Sequence, residues 1–360
     1  MDNTELMFKE LTEVHGVPGH EDAVADIMEN YLKDTADEIK YDRLGSLIAR
    51  KQGKSDSPKV MIAGHMDEIG FMVKEITEDG YIKFLPLGGW WGHVALAQRV
   101  IIKTTEGDIP GIIGSKPPHI LTDEERKKVQ EIKDLYIDVG AQDGFNVKDK
   151  LKIRPGDSIV PLSEFTIMAN PKMYLAKAWD NRIGCAAVID VLNNFKNIEH
   201  PNTLYGVGTV QEEVGLRGAK TAADFVNPDV AFAVDVSIAK DMPGLQGKPP
   251  ERLGSGPSVA VYDGSLVPNR RLRDLVIETA EKNDIPYHLT ALERGGTDGG
   301  RIQLNRIGVP TIYMGVATRY IHGHAGILNR DDYDNLVKLL TELVKRLDKD
   351  TVDSLSRYRS

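Results

Sequence analysis

Residues 203–215, TLYGVGTVQEEVG, read as a short buried strand that ends in two adjacent carboxylates and a glycine. Apolar and β-branched side chains fill the first part of this stretch, and Glu212 and Glu213 close it. Two carboxylates at the end of a buried strand must be desolvated, which costs several kcal/mol per ion unless a partner compensates. The pair therefore predicts either a bound cation or a solvated turn, and the rest of the chain bears on this choice.

Two further segments form strands of the same kind, with helices around them. Residues 59–67 form a buried strand that ends in His65 and Asp67, and residues 230–235 form another that ends in Asp235. Helices are predicted around these strands, at 4–12, 21–32, 181–195, 216–225, 271–282 and after 332. Such alternation predicts an α/β fold with a mostly parallel sheet sandwiched between helices, in which ligands bind at the carboxyl ends of the strands.

The character of the sequence changes between residues 69 and 161. Short β-rich runs separated by glycine and proline dominate, and the one evident helix begins at Thr122 with Glu125 three residues later, the pattern of a capping box. The spacing predicts a small β-barrel or sandwich. Because α/β strands resume afterwards, we expect residues 69–161 to be inserted into a larger domain formed by 1–68 and 162–360.

Bulk composition narrows the functional classes. The 360 residues are 41% hydrophobic and 28% charged, and the net charge of −9 argues against a nucleic-acid partner. The single cysteine, Cys185, excludes an internal disulfide and suits a reducing compartment. Residues 1–5 lack a signal-peptide pattern, and no apolar run approaches the roughly 18 residues that span a bilayer. We therefore expect a cytoplasmic protein without a membrane partner.

The strand ends place candidate metal ligands along one edge of the sheet. His65, Glu212, Glu213 and Asp235 lie there, and segments 179–182 and 319–324 offer more acidic and imidazole groups. Imidazole and carboxylate ligands without thiolate suit zinc, cobalt or manganese. Their number exceeds one tetrahedral shell, which predicts two metal ions that activate a bridging water as the nucleophile. One carboxylate is then left over as the general base.

Taken together, these segments resemble the tetrahedral (TET) dinuclear metallo-aminopeptidases, which include glutamyl and deblocking aminopeptidases. The resemblance covers essentially the whole chain and rests on GHMD at 64–67, WDNR at 179–182, VQEEVG at 210–215, VD at 234–235 and RYIH at 319–322, in the family's order. It implies an aminopeptidase that hydrolyses N-terminal residues from peptides, with two divalent metal ions per subunit.

The resemblance also assigns roles to individual residues. Five of them would be metal ligands in two sites, namely His65, Asp180, Glu213, Asp235 and His322. Asp180 would bridge the metals, with His65 and Asp235 completing one site and Glu213 and His322 the other. Glu212 would be the general base, and Asp67 would hydrogen-bond the second nitrogen of His65 to orient it. A cis peptide bond is expected between Asp180 and Asn181.

The same resemblance makes residues 69–161 a barrel- or PDZ-like dimerisation domain. Dimers would assemble into a hollow tetrahedral dodecamer that admits only unfolded peptides. The chain departs from the family at Gly323, where serine is common, and His324 is an alternative ligand to His322. Trp90 and Trp91 are expected to anchor an interface or a core.

Other functions stay open on the sequence alone. A related dinuclear deacylase or carboxypeptidase would share the ligands but carry a different inserted domain. A cellulase-like glycosidase could use Glu212 as an acid or base and would not need the metal ligands to converge. A non-catalytic scaffold would need none of them. For an acidic substrate preference, Arg217, Arg301 and Arg319 are the candidate pocket residues, and residues 295–300 are expected to shape that pocket.

Overall fold

The computed structural model describes residues 1–245 and 247–356. Within these ranges seventeen strands are present: β1 (Glu38–Tyr41), β2 (Leu47–Lys51), β3 (Lys59–His65), β4 (Gly70–Ile76), β5 (Ile82–Leu87), β6 (Arg99–Thr104), β7 (Gly107–Gly114), β8 (Tyr136–Asp138), β9 (Ser158–Pro161), β10 (Thr166–Ile167), β11 (Met173–Ala176), β12 (Thr203–Thr209), β13 (Val230–Ile238), β14 (Ser258–Asp263), β15 (His288–Leu292), β16 (Thr311–Arg319) and β17 (Gly326–Asn329).

The same ranges contain ten α-helices: α1 (Asn3–Glu13), α2 (Asp22–Leu32), α3 (Gly92–Ala95), α4 (Asp123–Arg126), α5 (Trp179–Asn194), α6 (Arg217–Val226), α7 (Arg270–Lys282), α8 (Gly299–Ile302), α9 (Arg330–Arg346) and α10 (Lys349–Leu355). Short 3₁₀ turns at Pro118–Ile120 and Ile132–Asp134 and a π-turn at Asn146–Lys150 complete the set. None of the helices in these ranges is long and apolar enough to cross a membrane.

Eleven of the strands form one mixed sheet. Its order is β1-β2-β12-β3-β13-β16-β17-β11-β10, with β14 paired to β16 and β15 to β14. The four central strands β12, β3, β13 and β16 are parallel, as predicted from the alternation of strands and helices. The pairings outward from them, β2 with β12 and β16 with β17, are antiparallel. Apart from the parallel pair β14 and β15, the sheet is therefore parallel only at its centre.

Helices cover both faces of the sheet because the central strands are apolar on both sides. In β3, Val60 and Ile62 pack into the large core that α1, α2, α5 and α9 share, whereas Met61 and Ala63 pack against α6 and α8 on the opposite face. Successive strand side chains point to opposite faces, so a continuous apolar run is what a doubly covered strand requires.

The remaining six strands form a closed barrel in the order β4-β5-β8-β7-β6-β9, with its own apolar core. Its strands run from Gly70 to Pro161, and the main sheet resumes after them. The prediction of a small β-barrel is confirmed. The predicted capping box is also present, with Thr122 and Glu125 exchanging hydrogen bonds, although the helix that it caps is a single turn.

Several element bounds differ from the prediction. β13 continues past Asp235 to Ile238, beyond the predicted 230–235. β14 and β17 were not predicted. β14 pairs with β15 and β16, which follow intervening helices, and the four-residue β17 pairs with the preceding β16 and with β11. Local periodicity gives little sign of such strands.

Candidate active site

The central strands bring six of the predicted site residues to one edge of the sheet. His65 ends β3, Glu212 and Glu213 follow β12, and His322 follows β16. Asp235 lies within β13, and Asp180 lies in the first turn of α5. Parallel strands end at the same edge, which is why residues up to 257 positions apart meet here.

The first ligand group consists of His65, Asp180 and Asp235. The Nε2 atom of His65 lies 3.1 Å from Asp180 Oδ1 and 3.9 Å from Asp235 Oδ1. The His65 side chain is only 2% exposed. One ligand atom from each of these residues lies within 4.8 Å of the others, a spacing at which the three could hold one ion.

The second ligand group consists of Asp180, Glu213 and His322, whose ligand atoms also lie within 4.8 Å of one another. The Nε2 atom of His322 is 3.4 Å from Asp180 Oδ2 and 3.6 Å from Glu213 Oε2. Asp180 therefore turns one carboxylate oxygen toward each group. A carboxylate in that position is the bridging ligand that a pair of metal ions needs.

The backbone around Asp180 is irregular. The peptide bond between Asp180 and Asn181 is cis, as the resemblance implied, and neither residue has helical backbone angles. The side chain of Asn181 donates to the carbonyl of Val234 at 2.7 Å and accepts from the amide of Gly184 at 3.0 Å. These bonds tie the segment that carries Asp180 to β13, which carries Asp235.

Asp67 is fully buried and joins the site to the loop after β12. Its two carboxylate oxygens accept hydrogen bonds from the backbone amides of Glu212 and Glu213, each at 3.0 Å. The Nδ1 atom of His65 lies 3.0 Å from the Asp67 backbone carbonyl and 3.5 Å from its carboxylate. The closer partner of His65 is thus the main chain of Asp67, whereas its side chain mainly supports the two glutamates.

A buried ionic cluster beneath the ligands was not predicted. The Glu68 carboxylate accepts from Lys177 at 2.6 Å and from Arg182 at 3.2 Å. Arg182 also donates to the carbonyls of Met66, Val14 and Gly16. The cluster connects the residues after His65 with those on either side of Asp180. Its charges are adjacent in sequence to the predicted motifs, but their pairing depends on the tertiary fold.

Burial and mutual repulsion dominate the electrostatics. Burial raises the pKa of Glu212 and of Asp235 well above the usual carboxyl range. Burial and the nearby Asp180 raise the pKa of Glu213 to about 8. Burial alone would lower the pKa of His322, but its contacts with Asp180 and Glu213 raise it to about 10. The carboxylates of this cluster outnumber its two imidazoles, an excess of negative charge that divalent ions would relieve.

The donors fit such ions. They comprise two imidazoles and three carboxylates without a thiolate, the chemistry of zinc, cobalt and manganese sites. In addition, Oε1 of Glu213 is buried and has no hydrogen-bond partner within residues 1–245 and 247–356. A buried carboxylate oxygen without a hydrogen-bond partner destabilises a folded protein, unless the oxygen binds a metal ion.

Glu212 belongs to neither ligand group. Its Oε2 atom lies 3.8 Å from Nε2 of His65, and its side chain is 9% exposed at the wall of the adjoining cavity. A further buried acid, Asp298, accepts a hydrogen bond from Thr209 at 2.5 Å, and burial raises its pKa to about 6. Thr209 ends β12, so Asp298 supports the strand that leads to Glu212. From the sequence, Asp298 stood out only as a member of the predicted pocket segment 295–300.

A cavity of about 880 Å³ adjoins the ligands. The predicted segment 295–300 contributes Gly295, Gly296 and Thr297 to its wall. The site contributes five residues, namely Asp180, Glu212, Glu213, Asp235 and His322. Its other charged lining residues are Lys240, Glu293 and Arg294. Lys240 pairs with Glu251 at 3.0 Å.

The three arginines proposed for this cavity from the sequence do not line it. Arg319 makes a two-pronged ion pair with Asp241, with Nε to Oδ1 at 2.8 Å, and Arg217 donates to Gln211 at 3.1 Å. Arg301 lies on the short helix α8. Lys240 and Arg294 are the basic residues of the wall instead, and no motif in the sequence singled them out.

His324 lies away from both ligand groups. Its buried ring packs edge-on against Trp90, with ring centres 5.4 Å apart. Trp90 in turn stacks on Phe71 of the barrel, as expected of a core anchor, whereas Trp91 is 60% exposed. His322 is thus the histidine of this segment that meets Asp180 and Glu213.

Known proteins share this fold. The family model described as M42 glutamyl aminopeptidase matches residues 45–339, and a model described as AMPT matches residues 2–28. The fold and the site define a metal-dependent aminopeptidase, a hydrolase. The chain belongs to the M42 glutamyl aminopeptidase family, and its structural neighbours are of the TET type.

Among curated relatives, a putative aminopeptidase, FrvX of Escherichia coli (strain K12), is 40% identical and covers 99% of both chains. The glutamyl aminopeptidase of Lactococcus lactis is 35% identical over 97% of this chain and 98% of its own. The lysyl aminopeptidase of Pyrococcus furiosus is also 35% identical, over 95% of this chain and 97% of its own.

Solved structures agree over the whole chain. A TET aminopeptidase from a marine sediment Thaumarchaeota archaeon superposes with a TM-score of 0.95 at 43% identity, covering 99% of both chains. PhTET1-12s, solved as a dodecamer, has a TM-score of 0.85 at 31% identity and covers 96% of this chain and 100% of its own.

Proposed function

We propose that this protein is a dinuclear aminopeptidase that removes N-terminal residues from peptides. The observation that carries the proposal is Asp180, whose two carboxylate oxygens face two separate ligand groups. Each group has three residues, and Asp180 is the member that they share. A site with one metal ion would not need the second group.

Under this proposal His65, Asp180 and Asp235 hold one ion and Asp180, Glu213 and His322 hold the other. Zinc or cobalt suits these donors best, and manganese is also compatible with them. When bound, the ions supply Lewis acidity that polarises the peptide carbonyl and lowers the pKa of a nucleophilic water. Asp67 and the ionic cluster around Glu68 hold the segments that carry the ligands in their relative positions.

Glu212 is the proposed general base. It is not needed in either ligand group, yet it borders both His65 and the cavity. Burial raises its pKa well above the usual range, and two bound cations would lower that pKa again and leave a carboxylate that can accept a proton. It would take that proton from the attacking water and pass it to the leaving amine. The new N-terminus of the shortened peptide would thereby leave in neutral form.

The cavity is the proposed binding site for the first side chain of the peptide. Its wall combines apolar residues such as Ile238 and Leu292 with Lys240, Glu293 and Arg294. The acidic groups of the site are suited to hold the free amine of the substrate. Since one curated relative is a glutamyl and another a lysyl aminopeptidase, the preferred side chain must be found by assay.

Assembly follows from the same comparison. We propose a catalytic unit of residues 1–68 and 162–360 and a dimerisation domain of residues 69–161, which contain the closed barrel. Dimers would build a tetrahedral dodecamer, a proposal supported by PhTET1-12s, solved as a dodecamer, and by the Pyrococcus horikoshii TET1 peptidase, which can assemble into a tetrahedron. The net charge of −9 favours peptides over nucleic acid as partners, and the single cysteine suits the cytoplasm.

The test is removal and replacement of metal. The protein would be stripped with a chelator, reloaded with zinc, cobalt or manganese, and assayed on anilides of Glu, Asp, Leu, Lys and Ala. An N-acetylated peptide and a cellulose oligomer serve as controls. Metal-restored cleavage of free-amine substrates alone supports the proposal. Cleavage of the acetylated peptide would indicate a deacylase or another peptidase, and cleavage of the oligomer that survives chelation would indicate a glycosidase.

A further inference from the structure

A loop of the barrel reaches the second ligand group. Gly88 and Gly89 follow β5, and the backbone carbonyl of Gly89 lies 2.8 Å from Nδ1 of His322. A Cβ atom on Gly89 would lie 2.9 Å from the same nitrogen, and one on Gly88 would lie 3.1 Å from Glu213 Oε2. The loop backbone therefore lies against His322, and a side chain at either glycine would press on one of the two ligands that are particular to this group.

This contact determines which nitrogen of His322 faces the site. A carbonyl oxygen can only accept a hydrogen bond, so Nδ1 must carry a proton and donate to Gly89. The other nitrogen, Nε2, then points at Asp180 and Glu213, at 3.4 and 3.6 Å. A hydrogen bond to the non-ligating nitrogen is the usual means by which proteins orient a metal-binding histidine.

His322 depends on such support more than His65 does. It follows β16 in a loop where both Tyr320 and His322 have positive φ angles, 61° and 55°, and its side chain is 34% exposed. His65, at the end of a central strand, is 2% exposed. The sheet holds one histidine, whereas the other needs an outside partner.

The loop that carries Gly89 is well anchored in the barrel. The next residue, Trp90, stacks on Phe71 of β4 with ring centres 4.5 Å apart, and its Nε1–H donates to the carbonyl of Gly70 at 2.9 Å. The His324 ring also packs against the same indole in an edge-to-face arrangement. A shift of the barrel would therefore move Gly89 and alter the hydrogen bond to His322.

We propose that Gly89 is a positioning residue for the metal site. Through its carbonyl, the inserted barrel orients His322, a ligand of the second ion. The proposal rests on the two-metal function above. It makes the barrel, in addition to any part in assembly, a structural component of the catalytic centre.

The test measures metal binding directly. Metal-stripped full-length protein and the Gly89→Ala variant would be titrated with Co²⁺ by calorimetry, with the visible absorption of Co²⁺ recorded in parallel. The wild type should bind two ions per chain. In the variant one ion should bind as before and the other about 10- to 100-fold more weakly, because the new methyl group displaces the His322 ring.

A matched control is Gly114→Ala. A Cβ at Gly114 would lie 3.0 Å from the ring of Tyr136, so it disturbs an aromatic contact in the same barrel but away from the ligands. This variant should bind both ions as the wild type does. If Gly89→Ala binds both ions normally, or weakens both equally, the proposal is overturned.

Failure of the two-metal function gives a different result, because the wild type itself would then bind fewer than two ions. Should Gly89→Ala not fold, Trp90→Phe serves instead. Phenylalanine keeps the stacking on Phe71 and removes the indole N–H donor to Gly70. Selective weakening of one Co²⁺ supports the proposal, and unchanged binding of both overturns it.

Discussion

The two ligand groups share Asp180 but are held in place by different parts of the molecule. In the first group, the two members other than Asp180 lie on adjacent strands, since His65 ends β3 and Asp235 lies within the neighbouring β13. The second takes Glu213 and His322 from loops and relies on Asp67 and on a carbonyl from the barrel. Ligands of equal chemistry can thus differ in how much of the fold is needed to hold them.

Separate substitution of the two adjacent glutamates should give the largest effect on activity. Glu212→Gln should lower kcat by about 10²- to 10⁴-fold while both metal ions stay bound, because only proton transfer is lost. Glu213→Gln should instead weaken the binding of one metal ion, and added metal should restore part of the activity. Steady-state kinetics with metal analysis of each variant checks this. Recovery of Glu212→Gln by excess metal would make Glu212 a ligand.

Substitution of the histidine of each ligand group should lower the free energy of unfolding by different amounts. In the metal-free protein, His65→Ala leaves buried carboxylates without their cation and should cost about 3–5 kcal/mol. His322→Ala removes a side chain that is 34% exposed, and should cost no more than about 1 kcal/mol. Urea unfolding of both variants at pH 7 gives the comparison. Equal losses would mean that the first group is no better embedded than the second.

The pH dependence of stability should reverse when metal is added. Burial and Asp180 raise the pKa of Glu213 to about 8, so the metal-free fold binds this proton more tightly than the unfolded chain does. Its contribution to stability is present at low pH and is lost as the pH rises through about 8. His322, whose contacts with Asp180 and Glu213 overcome burial and raise its pKa to about 10, acts in the same direction.

Between pH 6.5 and 8 the Tm of metal-free protein should therefore fall, by a few degrees in order of magnitude. The metal-saturated protein should show no such fall, since its ligands must be deprotonated to bind and rising pH strengthens binding. Scanning calorimetry of both forms in matched buffers is the measurement. Parallel curves would contradict the assignment of these groups as ligands.

Much of the first ligand group could be predicted from the sequence. Buried strands are legible as apolar runs, and parallel strands end at one edge, so acids and histidines after such runs must meet. This reasoning brought together His65, Glu212 and Asp235. Asp180 and His322 needed the family resemblance, because no strand pattern runs directly into either of them.

What local patterns could not supply were contacts between distant segments. The pairing of Glu68 with Lys177 joins residues 109 positions apart, and the hydrogen bond from His322 to Gly89 joins residues 233 apart. The sequence also did not indicate that Arg319 forms an ion pair with Asp241. Nor did it indicate that Lys240 and Arg294 line the cavity. Side chains of equal charge differ here only in their tertiary neighbours.

The carboxylate of Asp67 has a consequence for how this site can change in evolution. One side chain holds the amides of both Glu212 and Glu213, so the proposed base and the proposed metal ligand depend on the same carboxylate. A substitution at any of the three positions alters the background on which the other two act, and their effects should not add. The three residues are therefore expected to change together rather than one at a time.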